Sequence, residues 1–353
     1  MKSEVIIIGA GLTGLLLAYR LKKEGISFKI LESRNKIGGR INTVLSGNET
    51  TIEMGATWLG TQHQDLLGLL DELNIPVFEQ YMKGIALFEP LSTAPPQKFE
   101  IPDNQEPSFR IQKGSETLIH KLATSFNKND IILNSKIHHI DFSEDQVTLY
   151  SGNTAYLANK VVSTLPPMLL VNSITCNPAL PTHLVTIANN THTWMGESIK
   201  FGVSYTKAFW RENNFSGTVF SNVGPITELY DHSNYQNDRF ALKGFLQNEM
   251  YLETTENRKT KVFNQLQKLF GDSALDYLEY EELVWKNEQY TTIPTDHFIF
   301  PHQNNGHSVY QQGFFNNSLF IGGTETAVQF GGYMEGAVKS AQSIYQKLKQ
   351  VLL

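Results

Sequence analysis

The chain has 353 residues, 41% of them hydrophobic and 18% charged, which is typical of a globular protein too long for one compact core. A formal net charge of −6 argues against nucleic acid or an anionic membrane as the main partner, and no apolar run approaches the roughly 20 residues of a transmembrane helix. The only cysteine, Cys176, excludes an internal disulfide and favours a reducing, cytoplasmic location.

The first forty residues predict a dinucleotide-binding unit. Val5–Ile8 is a continuous β-branched run, as in a buried parallel strand. The glycine motif GAGLTG (9–14) follows, then a helix over 15–23 and a second strand over 27–31 that ends at Glu32. Glu32 comes about 20 residues after the motif, where a carboxylate can accept both hydroxyl hydrogens of a ribose. The alternative is that the glycines serve only a tight turn.

Each glycine of the motif has a separate physical use. Gly9 permits a tight turn, Gly11 lets the backbone approach a pyrophosphate, and Gly14 lets the helix pack closely on the strand. Leu12 and Thr13 open the helix, whose positive end faces the negative charge of the pyrophosphate. We therefore expect all five residues at the cofactor.

A second glycine pair favours FAD among the dinucleotides. Gly39 and Arg40 belong to a GGR sequence that permits another close backbone approach and supplies a bidentate phosphate donor. Here the chain resembles the large superfamily of FAD-binding oxidoreductases. Ser33 and Arg34 follow Glu32 and are also expected at the cofactor. Arg34 could instead indicate the 2′-phosphate of NADP, but Glu32 would repel that phosphate; a cover over the adenosine half or a solvated charge are the other interpretations.

Two further segments are assigned to the cofactor by the same resemblance. The sequence EMGATWLG contains Gly55, Ala56, Thr57 and Trp58, and in the superfamily this segment passes the flavin ring. Trp58 could instead be a core aromatic residue. The resemblance also implies that the backbone at Ile137 hydrogen-bonds the adenine.

A lysine interrupts the strand predicted for SIKFGVSYTKAFW (198–210). Ile199, Phe201 and Val203 share one face, whereas Lys200 is the only charge among the small residues of the other face. The pattern alone indicates an exposed strand lysine. The functional alternative is a lysine that projects into a cavity left open by its small neighbours.

The C-terminal part of the chain repeats the strand–glycine–helix arrangement. A strand over 319–321 leads into GGTETAVQFGGYMEGA (322–337), which opens a final helix. We expect this part to return to the N-terminal unit and complete one ligand site. Together with the lysine strand, these motifs resemble the flavin-containing amine oxidase family of the monoamine and polyamine oxidase type.

The resemblance implies an α/β fold with a Rossmann-like FAD-binding domain and a discontinuous, mixed-sheet α+β substrate domain. The expected boundaries are listed in two groups. The FAD-binding domain comprises residues 1–75, 108–190 and 288–353, and the substrate domain comprises residues 76–107 and 191–287.

The resemblance also implies roles for individual residues. Gly323 and Glu325 would contact the cofactor, Glu325 through the ribityl chain, and the Met334 N–H would face the pyrimidine edge of the flavin. Tyr333 would form one wall of an aromatic cage that directs an amine, and Lys200 would hold a water near flavin N5. Tyr333 and Lys200 are therefore the expected catalytic residues.

Several positions depart from the family pattern. The second cage aromatic should fall near Thr295, so half of the cage is missing unless Phe298 or Tyr290 substitutes. The cysteine that attaches flavin in some members would fall near Pro294, whereas Cys176 lies in a different segment, so FAD should bind non-covalently.

The expected partners are a small-molecule amine and either oxygen or an electron carrier, with no metal and no membrane. The excursion over residues 76–107 is shorter than in mammalian monoamine oxidases, which predicts a more open pocket or a different substrate. Two rival functions stay open at this point: a renalase-like oxidase of reduced nicotinamide isomers, and a flavin-binding protein without turnover.

Overall fold

The computed structural model describes residues 2–102, 106–295 and 297–352. Its strands and α-helices are numbered in chain order. They are β1 (Lys2–Ile8), α1 (Leu12–Lys23), β2 (Phe28–Leu31), β3 (Thr43–Leu45), β4 (Thr51–Glu53), β5 (Trp58–Gly60), α2 (Gln64–Glu72), β6 (Val77–Glu79), β7 (Ile85–Glu89), β8 (Gln97–Glu100), β9 (Ser108–Ile111), α3 (Glu116–Ala123), β10 (Ile131–Ile132), β11 (His139–Asp141), β12 (Val147–Ser151), β13 (Thr154–Ser163), α4 (Pro167–Ser173), β14 (Thr175–Asn177), α5 (Thr182–Asn189), β15 (Ile199–Tyr205), α6 (Phe209–Glu212), β16 (Phe215–Ser221), β17 (Ile226–Asp231), β18 (Phe240–Leu246), α7 (Thr255–Phe270), β19 (Tyr277–Val284), β20 (Leu319–Ile321) and α8 (Met334–Leu352).

The first sheet brings the two ends of the chain together. Its strand order is β10-β2-β1-β13-β12-β11-β14, and β20 also pairs with β13. Strand β1 runs parallel to β2 and β13, and β13 runs parallel to β20. Helices α1 and α8 pack on one side of this sheet, where Leu15 and Leu21 join Val338 and Ile344 in one core. The predicted α/β fold with a Rossmann-like unit is thus confirmed.

The second sheet forms a separate layer of the structure. Its order is β19-β15-β18-β17-β16-β7-β8, so its strands come from two stretches of the chain, 85–100 and 199–284. Both stretches lie within the ranges predicted for the substrate domain. One face packs against α7, through Val262 and Leu266. The other face is turned toward the N-terminal segment over residues 43–60.

Close contacts bury this second face of the sheet. The Ser46 and Ser204 hydroxyl oxygens are 2.6 Å apart. At Gly202, an added Cβ would lie 2.3 Å from a methyl carbon of Ile52, so only glycine fits. Lys200 lies in the same row of the strand and is 3% exposed. The sequence-based interpretation of Lys200 as an exposed strand lysine is therefore wrong.

Hydroxyl-bearing residues precede helices α3 and α7, but only the one before α7 caps its helix. Ser115 precedes α3, but its side chain makes no capping bond and its hydroxyl has no partner among the described residues. Thr254 instead caps α7 by accepting a hydrogen bond from the Asn257 N–H at 3.3 Å.

We expect Thr254→Ala to lower the free energy of unfolding by about 1 kcal/mol in urea titrations. Ser115→Ala is the control and should change it by less than about 0.5 kcal/mol; equal losses would contradict the assignment of the cap.

Candidate functional site

One cleft runs along the carboxyl ends of the parallel strands of the first sheet. Both chain ends line it, as the glycine motifs predict. The predicted cofactor residues that line the cleft are Gly9, Gly11, Leu12, Thr13, Glu32, Ser33, Arg34, Gly39, Arg40, Ala56, Ile137, Gly323, Tyr333 and Met334.

The glycines give the cleft a bare backbone floor. Gly9 has a φ of +105° and Gly39 a φ of +62°, values that favour glycine. Gly11 forms an isolated bridge with Gly38, so two glycine backbones meet at the start of α1. Gly14 lies behind this floor, and a Cβ added there would stand 2.1 Å from the Gly9 carbonyl oxygen. Gly14 therefore serves the close packing of helix on strand.

One end of the cleft, beside the glycine floor, is built around Glu32. Its two carboxylate oxygens accept the Ala10 N–H at 2.8 Å and the Arg34 N–H at 2.9 Å, which fixes the carboxylate at the strand end. The Arg34 guanidinium donates to Glu288 at 3.1 Å and lies 5.6 Å from the centroid of the Tyr290 ring. Arg34 is thus a cover over this end of the cleft rather than a solvated charge.

An ion pair joins the two glycine-rich segments across the cleft wall. The Arg40 guanidinium donates to both Glu325 carboxylate oxygens, at 2.6 and 2.9 Å, and to the Trp194 carbonyl oxygen at 3.1 Å. The Glu325 side chain is fully buried. Its carboxylate is directed at Arg40 and does not line the cleft, so the expected contact with a ribityl chain stays a prediction.

The segment over residues 53–58 forms a wall between the cleft and the second sheet. Ala56 lines the cleft, whereas Gly55, Thr57 and Trp58 lie on the side of the sheet. The Lys200 ammonium donates to the Gly55 carbonyl oxygen, and the Lys243 ammonium donates to the Thr57 hydroxyl. Two buried lysines of the second sheet therefore hold the segment from behind.

More side chains of the second layer attach to the same segment. The Trp285 indole N–H donates to the Met54 carbonyl at 2.8 Å, and the Glu53 N–H donates to His232 at 3.3 Å. The indole N–H of Trp58 donates to Gln80 at 2.9 Å. Almost every residue of the segment is thus hydrogen-bonded to the second layer.

Burial shifts the titration of the charged groups behind the wall. It lowers the pKa of Lys200 to about 7, with Glu53 acting in the opposite direction. Burial also places the pKa of Lys243 well below its ordinary value, and Lys200 adds to that decrease. The carboxyl of Glu53 has a raised pKa because it is buried, although Ser115 and Lys243 oppose the increase. Perturbed groups of this kind are common at functional sites.

Sequence reasoning missed Lys243, although its strand carries a usable signal. In FALKGFL (240–246), Lys243 lies on the same face of the strand as Ala241 and Phe245 and is the only charged residue there. The same pattern singled out Lys200. The two lysine side chains share a face of neighbouring strands, since Gly202 of β15 lies opposite Lys243. The lone charge on this face of β18 was therefore the signal that could have identified Lys243.

Tyr333 stands at the open end of the cleft with 40% of its surface exposed. Its ring centroid lies 5.6 Å from that of Trp194 and 5.8 Å from that of His302, and the His302 ring is nearly parallel to it at 13°. Neither Tyr290 nor Phe298 is among the rings that pack against Tyr333 in the described chain. The ring contacts of Tyr333 therefore give no support to a substitution of the second cage aromatic by either residue, and that alternative stays a prediction.

Trp194 and His302 were missed because loops carry them. Residues 191–198 and 301–307 show no periodic pattern, and only the folded chain brings the two rings together at 4.5 Å. Gly332 lets the tryptophan approach the backbone before Tyr333, since a Cβ there would lie 2.6 Å from the Trp194 Cβ. The aromatic surroundings of Tyr333 therefore come from these loops and from His63 before α2, whose ring centroid lies 6.1 Å away.

The cleft fits FAD by the chemistry of its donors. The glycine floor admits a pyrophosphate beside the start of α1, which has no side-chain cap to compete for its free N–H groups. Glu32 suits a ribose, and the start of α8 at Met334 gives a second positive helix end.

Within the described ranges, no cluster of three His, Cys, Asp or Glu side chains is arranged to hold a metal. All helices in the described chain are too short or too polar to span a bilayer.

Fold and cleft together define a two-layer, dinucleotide-binding protein of the oxidoreductase class. The chain belongs to the family described as flavin containing amine oxidoreductase, whose model matches residues 12–91 and 89–344. Its cofactor is FAD. Non-covalent binding agrees with the position of Cys176, the only cysteine, which packs in the core beside β11 and does not line the cleft.

Curated relatives cover almost the whole chain. A probable flavin-containing monoamine oxidase A of Dictyostelium discoideum is 24% identical, with 99% of this chain and 98% of the relative covered. The flavin-containing amine oxidase B of Homo sapiens is 22% identical over 97% of this chain and 85% of the relative. The first alignment extends over 456 positions, against 353 residues here, so the relative has segments that this chain lacks.

Solved structures show the same fold. Putrescine oxidase bound to putrescine has a TM-score of 0.87 at 20% identity, with 99% of each chain covered. Cyclohexylamine oxidase from Brevibacterium oxydans has a TM-score of 0.86 at 19% identity, with 100% of each chain covered.

Proposed function

We propose that this chain is an FAD-dependent amine oxidase. The observation that carries the proposal is a cleft that both chain ends line, with the part-exposed Tyr333 ring at its edge, in a chain of the amine oxidoreductase family. Bound FAD would supply the redox chemistry: two electrons and the hydrogen of the carbon next to nitrogen would leave the neutral amine as a hydride to N5, and the N–H proton would be released. The products would be an imine, which water converts to an aldehyde, and hydrogen peroxide formed from oxygen with the two electrons and two protons.

The residues around the cleft supply position and polarity. The rings of Tyr333 and Trp194 offer an aromatic surface beside the cleft, and such a weakly hydrated surface favours the neutral amine over the ammonium form. The start of α8 at Met334 lines the cleft, where its free N–H groups would face the electron-rich edge of the flavin. Lys200 is assigned to the water near N5, and it reaches the cleft wall through Gly55.

Anaerobic mixing of the purified yellow protein with amines tests the proposal. We expect primary amines to bleach the flavin absorbance, and we expect air to restore it with one hydrogen peroxide for each amine consumed. Reduced nicotinamide isomers serve as the comparison. Bleaching by those compounds and not by amines would contradict the proposal and support a renalase-like activity, and flavin that neither donor reduces would support a binding protein without turnover.

A further inference from the structure

Two lysines and one carboxylate form a buried cluster behind the cleft wall. Lys200 belongs to β15 and Lys243 to the neighbouring strand β18, whereas Glu53 ends β4 in the segment that covers this face of the sheet. All three side chains are buried. Three separate elements thus bring three ionisable groups together out of contact with bulk water.

A continuous chain of hydrogen bonds joins the two ammonium groups. The Lys243 ammonium donates to the Thr57 hydroxyl, and this hydroxyl donates to the Gly55 carbonyl oxygen at 3.1 Å. The Lys200 ammonium donates to the same carbonyl oxygen. Both ammonium groups also lie over the Phe245 ring, at 5.2 Å for Lys200 and 5.7 Å for Lys243. The two cations therefore meet at one short piece of the wall.

Glu53 supplies the opposite charge of this cluster. Its carboxylate accepts the Ser115 N–H and the Thr43 hydroxyl, the latter at 3.0 Å, which fixes it behind the wall. Burial lowers the pKa of Lys200 to about 7, and the Glu53 carboxylate opposes that decrease. Two buried ammonium groups that depend on one carboxylate cannot both be charged without a large cost in free energy.

The two lysines disfavour each other's charge. Burial lowers the pKa of Lys243 well below its ordinary value, and Lys200 is the next cause of that decrease. The interaction between two titrating groups is symmetric, so a charged Lys243 disfavours the charged form of Lys200 by the same amount. The Lys243 ammonium lies 4.2 Å from the centroid of the Trp58 ring, a contact that favours its charged form. The two groups therefore compete for a proton.

Other ionisable groups also face the cluster. His232 lies 2.9 Å from Arg110 and stays neutral, because burial, reinforced by the Arg110 charge, holds its pKa well below the ordinary value. Arg110 stays charged, since burial lowers its pKa only to about 10. Glu279 and Glu281 of β19 lie on the same face of the sheet as the lysines. Glu53 is the carboxylate whose charge favours both ammonium groups.

We propose that Glu53 and Lys243 are positioning residues that control whether Lys200 is charged at the cleft wall. The inference rests on the proposed amine oxidase function, in which the Lys200 charge assists the reaction of reduced flavin with oxygen. Glu53 favours the proton on Lys200, and Lys243 competes for it. The charge presented to the flavin is therefore set by two residues that do not themselves line the cleft.

The titration of Lys200 in the oxidised, FAD-bound protein tests the inference without any turnover. Lysine with an isotope label at Cε gives an NMR signal for each lysine, and Lys200→Met identifies the signal of Lys200. Glu53→Gln should lower the titration midpoint of Lys200 by about one pH unit or more, because it removes the favourable charge but keeps an oxygen for the Ser115 N–H. Lys243→Met should raise the midpoint by about one pH unit or more, because it removes the competing cation.

Glu281→Gln is the matched control, because it removes a carboxylate from the same face of the sheet, opposite Gly202, and should leave the Lys200 midpoint unchanged. A general structural defect would not move the midpoint in opposite directions in the two test variants. Reduction of the flavin with dithionite and mixing with oxygen give a second readout, since the pH at which reoxidation slows should move with the Lys200 midpoint.

An unchanged midpoint in Glu53→Gln or in Lys243→Met, or shifts of both in the same direction, would overturn the inference while leaving amine oxidation intact. Lys243→Met removes a buried charge and keeps the apolar stem, so we expect it to fold even if Glu53→Gln does not. Opposite shifts, together with a failure of every amine to reduce the flavin, would overturn the proposed function alone.

Discussion

Replacement of Lys200 by methionine should slow the reoxidation of reduced flavin by oxygen about 100-fold, the typical loss for one preorganised polar group in an active site. Reduction by an amine should change by no more than about threefold, because the variant keeps the apolar stem that packs in the sheet. The buried ammonium reaches the cleft wall at Gly55, beside Ala56, so its charge acts at the cofactor and not on the distal parts of the substrate. Stopped-flow mixing with amine and then with oxygen separates the two rates.

The pH dependence of the same rate gives a second readout. Burial lowers the pKa of Lys200 to about 7, so the positive charge is present below that pH and is lost as the pH rises through it. Wild-type reoxidation should therefore fall as the pH increases through 7, and the Lys200→Met rate should be flat there. Lys207→Met is the control, since this lysine is exposed and pairs with Glu212 at the surface. Equal slowing of reduction and reoxidation by Lys200→Met would refute the assigned role.

The sequence predicts most of the fold because its strongest patterns are local. The run Val5–Ile8 forms a strand, and the motif that follows it needs glycine for reasons of backbone geometry that hold wherever the motif occurs. Gly9 does adopt a positive φ, and Gly14 does pack against the Gly9 carbonyl. The return of the C-terminal glycines to this unit was also predictable, because strand β20 and helix α8 repeat the same arrangement.

The rest of the site depends on contacts between distant parts of the chain. Whether a strand lysine is buried or exposed is decided by what covers its face, and the cover of Lys200 and Lys243 comes from residues 43–60. A serine before a helix commonly caps it through its hydroxyl. Ser115 makes no such bond before α3, and the Glu53 carboxylate, more than sixty positions away, instead accepts the Ser115 N–H. Trp194 belongs to a loop, and only its ring contact with Tyr333 in the folded chain identifies it as a site residue.

Arg40→Met should lower the free energy of unfolding by about 3–5 kcal/mol, because it leaves a buried carboxylate without a partner. Glu325 has no exposed side-chain surface, and Arg40 engages both of its oxygens. The pair also joins the N-terminal and C-terminal glycine segments, so its loss should weaken FAD binding as well. Urea titration of the FAD-bound protein, followed by fluorescence, measures the stability, and the absorbance of the purified variant measures the retained FAD.

Arg34→Met is the control for Arg40→Met, because it removes an arginine from the cleft without leaving a buried carboxylate unpaired. Arg34 also lines the cleft and also pairs with a glutamate, but Glu288 is 34% exposed and can regain water when its partner is removed. The expected cost is then below about 1 kcal/mol. Adding Glu325→Gln to Arg40→Met should recover part of the stability, since it removes the stranded charge. If Arg40→Met were no more damaging than Arg34→Met, the junction of the two chain ends would have to rest on the packing of α1 against α8 and not on this ion pair.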